Sequence, residues 1–275
     1  MVATPLGNLG DLSLRAKDTL KNVDKILAED TRTASRLLSA LNLPPKSLES
    51  FFEHNESRKL SKVLNWLEQG LDLALISEAG TPLIADPGFP LVKKVRLAGF
   101  KVIPIPGPSA PIVALMGAGI SCLPFTFLGF LPKKPEEIKK IFSLYAYPAQ
   151  TLVFFERKNR VLTTLKLAHQ VLGKREFCLA RELTKIHEEF INGYLDDLSS
   201  LDETKLRGEF TVVIGPGLEV SKTPEQEVKQ LILNLRSRYK VKELAKIISE
   251  QVQGWSTKEV YQLCLQLNQG PHRQN

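Results

Sequence analysis

The chain has 275 residues, 43% hydrophobic and 24% charged, a balance that allows a sizeable core and one large or two to three smaller domains. Arg15, Lys17 and Asp18 interrupt the N-terminal region, and the longest apolar run, Ile112 to Leu123, falls short of the roughly 18 residues a membrane span needs, so neither a signal peptide nor a membrane segment is expected. Cys122, Cys178 and Cys264 are scattered without CxxC spacing, which argues against a disulfide framework or a zinc site and for a reducing, cytoplasmic setting, while a net charge of +7 leans toward a polyanionic partner.

Taken in chain order, helical and strand-like segments alternate, the pattern of an α/β protein. Helices are predicted over 13–22 and 33–41, with the apolar stretch Ile26 to Ala28 between them, and over 56–69 after Phe51-Phe52. A buried strand is predicted at Asp72–Ser77, a helix at 90–97, a second strand at Lys101–Pro106 and then a helix of small residues. The segment 120–127 breaks this rhythm and is the first predicted boundary. Strands at 151–155, 177–180 and 210–214 follow, with a helix at 160–172 after the first of them; Gly70, Gly99 and Gly173 sit where helix C-caps are expected. A second boundary is placed in the Gly/Pro/Ser-containing stretch 216–224. Beyond it Val241, Leu244, Ala245, Ile248 and Val252 recur at helical spacing. Gly254-Trp255 turns the chain, and Ser256 with Glu259 forms a capping box, so the tail reads as two helices across a glycine turn, compatible with a helix-turn-helix. The divisions predicted are 1–121, 122–223 and 224–275.

Three Gly/Pro-rich loops each follow a strand: Thr4 to Asn8, Gly80-Thr81-Pro82 with Asp86-Pro87-Gly88, and Pro106 to Ala110. Ligands of open parallel sheets bind outside the carboxyl ends of strands, where such loops converge. Glycine admits close backbone approach and proline fixes loop shape, although each loop alone also reads as an ordinary turn. No GxxxxGK[ST] or GxGxxG occurs, which disfavours ATP or a dinucleotide held in the usual way. Glu29-Asp30-Thr31-Arg32-Thr33 reads either as an orienting network at a strand end or as the cap of the next helix. His54-Asn55-Glu56 reads as a loop with a proton acceptor or as a plain N-cap, and Ala180 to Glu189 reads as a solvated charged run or a functional strand end.

In order along the chain, VATPLGNLGDLSLRA, AEDTRT, HNE, ISEAGTPLIADPGFPLV, PIPGPSA and RELTKIHEE resemble the ribosomal RNA small subunit methyltransferase I family of the tetrapyrrole methylase superfamily. Superfamily relatives that methylate porphyrin-like rings carry GDP where this chain has Gly80-Thr81-Pro82, which with the EDTR and HNE segments favours RNA. The resemblance implies a two-domain α/β methylase fold with a helix-turn-helix-like tail, binding S-adenosylmethionine between the domains, usually as a homodimer. It implies cofactor contacts at Pro5, Ser77, Gly80, Thr81, Pro82, Leu83, Pro106 and Ala110, joined by Phe154, Phe155, Ala180, Arg181 and Leu183. It implies 2′-O-methylation of a cytidine in the decoding region of small-subunit rRNA, free or in the 30S subunit. Two departures stand out: only Met1 to Ala3 precede the TPLG loop where the family has a fuller first strand, and Glu156-Arg157-Lys158-Asn159-Arg160 replaces the family's ESPHR.

Methyl transfer to a ribose hydroxyl is an in-line displacement that gains from positioning and from a general base. The candidate residues are Glu29, Asp30, Arg32, His54, Glu56, Lys185 and Glu188, with Asp30 and Glu29 ranked first because Arg32 would hold a carboxylate ionised. Residues 225–275 hold eight Lys/Arg against five Glu. Arg236, Arg238, Lys240 and Lys242 are concentrated at the entry to the helical pair, as a phosphate-contacting patch or as a solvated face. Two rival functions stay open: a tetrapyrrole methyltransferase and a non-enzymatic RNA-binding protein.

Overall fold

A computed structural model describes residues 1–146, 150–199, 201, 207–217, 223–252 and 254–268. The first half of the chain builds a parallel sheet of order β2-β1-β3, with β1 (Lys25–Ala28), β2 (Ser47–Ser50) and β3 (Leu73–Ile76). Alternation along these strands feeds both faces of the sheet. Ile26, Ala28, Ala74 and Ile76 pack with Ala16 and Leu20 of α1 (Leu14–Asn22) and with Ala34 and Leu38 of α2 (Thr31–Ala40). Leu27 and Leu75 pack on the opposite face with α3 (Glu53–Glu68) and α4 (Phe89–Leu97). Among the described residues no helix is long and apolar enough to cross a membrane.

Helix starts follow side-chain chemistry and correct the predicted bounds. Ser13 accepts from the Ala16 amide at 3.1 Å and caps α1. Asp30 accepts from the Arg32 amide at 2.7 Å, so α2 begins at Thr31, two residues before the predicted start. Asn55 acts from within the first turn of α3, its Oδ1 accepting from the Phe52 amide at 2.9 Å, so His54 and Glu56 lie in a helix rather than a loop.

The segment Lys101–Pro106, predicted as a strand, forms only one ladder bridge, Val2 with Ile105. Pro104 and Pro106 lack the amides a continuous ladder needs. Met1 to Thr4 lie between this segment and β3, with the Val2 amide donating to Leu75 O at 2.9 Å and the Ile105 amide to Met1 O at 2.8 Å.

The chain then passes through α5 (Ala110–Gly117) into a second sheet of order β4-β5-β8-β6-β7. Its strands are β4 (Phe125–Phe130), β5 (Thr151–Arg157), β6 (Glu176–Arg181), β7 (Glu189–Tyr194) and β8 (Glu209–Ile214), antiparallel except for the β4–β5 pair. Leu152, Phe154, Phe177 and Leu179 face α6 (Pro135–Ser143) and α7 (Val161–Leu172), and Val153, Cys178 and Ala180 face α5. Each fully buried large side chain here contributes about 1.5–3 kcal/mol. Helix α5 therefore packs on the second sheet although it precedes the boundary predicted at residue 121.

Three of these elements lie outside the strands and helices that the sequence predicts. The second half of the predicted interruption 120–127 already belongs to β4. Helix α6 starts on Pro135 with Glu136 and Glu137 in its first turn and buries Ile138 and Phe142. The charged run before Glu189 is a turn leading into edge strand β7, whose Asn192 and Gly193 obscure a strand pattern.

The tail is helical: α8 (Glu225–Leu235), α9 (Val241–Gln251) and α10 (Thr257–Asn268) share one small core around Val228, Ile232, Leu244, Ile248, Val260 and Leu263. Ser256 and Glu259 form the predicted reciprocal cap, amide to carboxylate at 2.7 Å and amide to hydroxyl at 3.2 Å. Residues 218–222 of the predicted 216–224 linker, and Arg273 among the tail cations, lie outside the described residues.

Candidate active site

The loops after the first-domain strands meet through their backbones. The Thr4 amide donates to Gly80 O at 2.8 Å, the Gly80 amide to Thr4 O at 3.0 Å, and Thr81 Oγ1 to Pro108 O at 2.9 Å. Gly80 holds φ of +81°, and a Cβ there would stand 3.0 Å from Leu6 Cδ2, so both conformation and close approach call for glycine. The Asn8 amide donates to Thr184 Oγ1 at 3.2 Å, tying the first loop to the turn after β6.

These loops form one wall of a cleft of about 320 Å³ whose other wall comes from the second sheet. Leu6, Glu78 to Thr81, Ile84 to Asp86 and Ser109 to Pro111 line the first wall; Phe130, Phe155 to Arg157, Ala180, Glu182, Leu183, Lys185 and Glu209 to Thr211 line the second. Phe155 packs edge-on to Phe127 and tilted to Phe130, centroids 5.1 Å apart in both pairs. Phe130 is 60% exposed, so the second wall offers an open aromatic surface flanked by Arg157 and Lys185.

Of the predicted cofactor residues, Gly80, Thr81, Ala110, Phe155, Ala180 and Leu183 line this cleft. Ser77 lies beneath it: its Oγ donates to Gly80 O at 3.1 Å and its carbonyl accepts from Thr4 Oγ1 at 3.3 Å, which shapes the turn. Pro5 and Pro82 are buried under the loops, Leu83 holds φ of +74°, and Pro106 is exposed. Phe154 points to the opposite face of β5, against Phe142, because neighbouring strand residues alternate. Arg181 Nε donates to Glu189 at 2.6 Å across the β6–β7 pair.

Several predicted proton acceptors are engaged elsewhere. Asp30 caps α2 and holds Arg32 with both oxygens, Nη2 donating at 2.8 Å; that side-chain hydrogen bond leads the causes lowering its carboxyl to about 2. Asp30 and Glu29 border a small pocket with Ser77 and Glu78. Buried Glu56 accepts from the Leu91 amide at 3.3 Å in the first turn of α4, a capping role. His54 is exposed on α3 beside the Phe52 ring. Glu188 accepts from the Thr184 amide at 2.6 Å and closes the 184–188 turn. Lys185 lines the cleft, pairs with Glu182 at 3.2 Å and lies so close to Gly7 that a Cβ there would meet its Cγ at 2.4 Å. Arg236, Arg238, Lys240 and Lys242 are exposed around the α8–α9 junction.

Asp86 went unnoticed as a candidate. Burial is the first cause raising its carboxyl to about 6, with the charge of Glu29 next; hydrogen bonding from Ser77 opposes the shift and Glu78 adds to it. Its signal in the sequence is its place at the start of Asp86-Pro87-Gly88, within the second Gly/Pro-rich loop. Phe130 ends β4, a strand whose first three residues fall in the predicted boundary 120–127, and it lies beyond that segment.

The family model described as Tetrapyrrole (Corrin/Porphyrin) Methylases matches residues 1–199. The chain is 37% identical over 268 residues to "Ribosomal RNA small subunit methyltransferase I" of Neisseria meningitidis serogroup B, covering 96% of this chain and 92% of that one. It is 41% identical over 215 residues to the protein of the same name from Bacillus subtilis, covering 78% and 73%. Among solved structures, the methyltransferase CobJ superposes with a TM-score of 0.59 at 17% identity over 80% of this chain and 93% of that one. Cobalt precorrin-4 methyltransferase CbiF superposes at 0.58 and 12% identity over 78% and 92%. At these identities the two structures speak to the fold.

Proposed function

The chain belongs to the tetrapyrrole (corrin/porphyrin) methylase family and is an S-adenosylmethionine-dependent methyltransferase, and from that premise we propose that it methylates small-subunit ribosomal RNA at the 2′-hydroxyl of a cytidine in the decoding region. The observation that carries the reading is the two-walled cleft, in which an acidic loop wall faces an aromatic strand wall of mixed charge that carries Arg157 and Lys185.

S-adenosylmethionine supplies an activated methyl group on a positively charged sulfur. The residues present suit such a molecule. Gly80 and Thr81 offer backbone at close range, Phe155 and Leu183 an apolar surface for a nucleoside, and Glu78 negative charge for a sulfonium. Arg157 and Lys185 at the second wall suit the phosphates of an RNA acceptor, and Phe130 an unstacked base. Arg236, Arg238, Lys240 and Lys242 are exposed on the tail, where they would contribute affinity rather than base choice. The working form is a homodimer acting in the cytoplasm.

Mapping of small-subunit rRNA by mass from cells lacking this protein should reveal the loss of one ribose methyl in the decoding region, restored by the purified chain with S-adenosylmethionine. An unchanged methyl pattern rejects the RNA reading, and transfer to a porphyrin precursor instead would put a tetrapyrrole in its place. Replacing the four tail cations by glutamine should flatten the salt dependence of RNA binding by about one phosphate contact each. An unchanged slope removes the tail from the RNA surface.

A further inference from the structure

We propose that Asp86 is the catalytic residue that accepts the proton of the acceptor hydroxyl during methyl transfer. The inference rests on the reading above that the acceptor is a ribose hydroxyl, and it assigns that site its base.

Asp86 lines the cleft from the first wall, opposite the strand wall that carries Phe155, Arg157 and Lys185. Its loop is held in an unusual shape: Leu83 and Ala85 have φ of +74° and +68°, and Gly88 +124°. A Cβ on Gly88 would stand 2.7 Å from both Leu75 and Leu83 side chains, so the loop is packed closely against β3. Non-glycine residues in the left-handed region persist only where surrounding structure imposes them, and they cluster at functional sites. Here two of them precede Asp86 and place that residue in the lining of the cleft.

Five other carboxylates in or near the cleft are committed to other partners. Asp30 is bound by Arg32 and Glu56 by the Leu91 amide. Glu188 holds the Thr184 amide, and Glu182 receives Lys185 and the Glu209 amide. Glu156 is buried with Thr164, Arg160 and the Arg157 amide. Charged groups near Asp86 are Glu29, which borders the small neighbouring pocket, and Glu78 on its own wall, with Glu156, Arg157, Glu182, Lys185 and Glu209 lining the other wall of the cleft. Burial, then Glu29, raises the Asp86 carboxyl to about 6, which makes it a stronger base than an ordinary aspartate while leaving it mostly ionised at neutral pH.

The step balances. The ribose oxygen forms a bond to the methyl carbon, the carbon–sulfur bond breaks with its electron pair passing to sulfur, and the hydroxyl proton moves to Asp86. A neutral thioether, a methyl ether and a protonated carboxyl result, and the carboxyl then returns its proton to water.

The test uses the full chain, small-subunit RNA and methyl-labelled S-adenosylmethionine. Asp86→Asn should lower kcat by about 10²-fold or more, with cofactor and RNA affinities within about threefold of the parent, and Asp86→Glu should recover part of the loss. The parent's kcat/KM should fall about tenfold per pH unit below about 6, a limb absent from Asp86→Asn. Independently of turnover, carboxyl NMR of the cofactor-free protein should show a group titrating near 6 that disappears in Asp86→Asn. Turnover of Asp86→Asn within threefold of the parent, or an acid limb that survives in it, overturns the proposal. Should that variant not fold, a parent profile without an acid limb overturns it. A parent that transfers no methyl to RNA sinks the functional reading, whereas an active parent with an active Asp86→Asn sinks this inference alone.

Discussion

The two walls of the cleft are made differently. The first is loop: Gly80, Leu83, Ala85 and Gly88 all hold positive φ, and Glu78 and Asp86 give the wall its negative charge. The second is largely sheet: Phe155, Ala180 and Thr211 project from neighbouring strands whose registers fix their spacing, and its charge is mixed. Loops following a parallel sheet can aim a carboxylate at one point, because each turn is free to take its own shape. A strand face cannot bend to a single atom, but it offers a rigid apolar surface. The difference assigns reaction chemistry to the first wall and ligand affinity to the second.

That division can be broken by separating its consequences. Phe155→Ala removes the ring that joins Phe127 and Phe130 in the aromatic cluster. It should weaken S-adenosylmethionine binding by about tenfold in calorimetry while leaving kcat at saturation within about threefold. A large loss of kcat with unchanged affinity would reverse the assignment.

A smaller effect concerns stability. The Asp86 carboxyl stands near 6 in the folded chain against about 3.9 when unfolded. Folding therefore favours its protonated form. The resulting destabilisation is absent below about pH 4, grows between about 4 and 6, and is complete above that. Asp86→Asn should accordingly raise stability at pH 7.5 by about 1 kcal/mol, allowing for solvent screening, with the gain vanishing at pH 4. A denaturant series at the two pH values measures this, and a gain independent of pH would mean that charge burial is not its source.

The smallest effect is expected at Asp30. Its carboxyl is tied to Arg32 and to the start of α2, so Asp30→Asn should leave methyl transfer within about threefold and lower Tm slightly, since asparagine also caps helices. A loss as large as that expected for Asp86→Asn would move the base from the loop after β3 to the end of β1.

What the sequence determined alone was local. Ser13, Asp30, Ser256 with Glu259, and Gly70, Gly99 and Gly173 marked helix ends, because capping depends on residues a few positions apart. The Gly/Pro turns at 4–8, 80–88 and 106–110 marked the cleft's first wall, and the runs at 151–155, 177–180 and 210–214 gave the central strands of the second sheet. Tertiary structure decided the rest. Whether Phe154 or Phe155 meets the cleft depends on which face of β5 is covered by α6 and α7. Whether Asp30 or Asp86 retains basicity depends on burial and on partners brought from distant parts of the chain. Arg32 lies two residues from Asp30 and was visible in the sequence. Glu29 lies far from Asp86 along the chain and becomes its neighbour only when β1 pairs with β3. A short-range signal singled out the tightly paired acid, and the long-range fold supplied the one that can take up a proton.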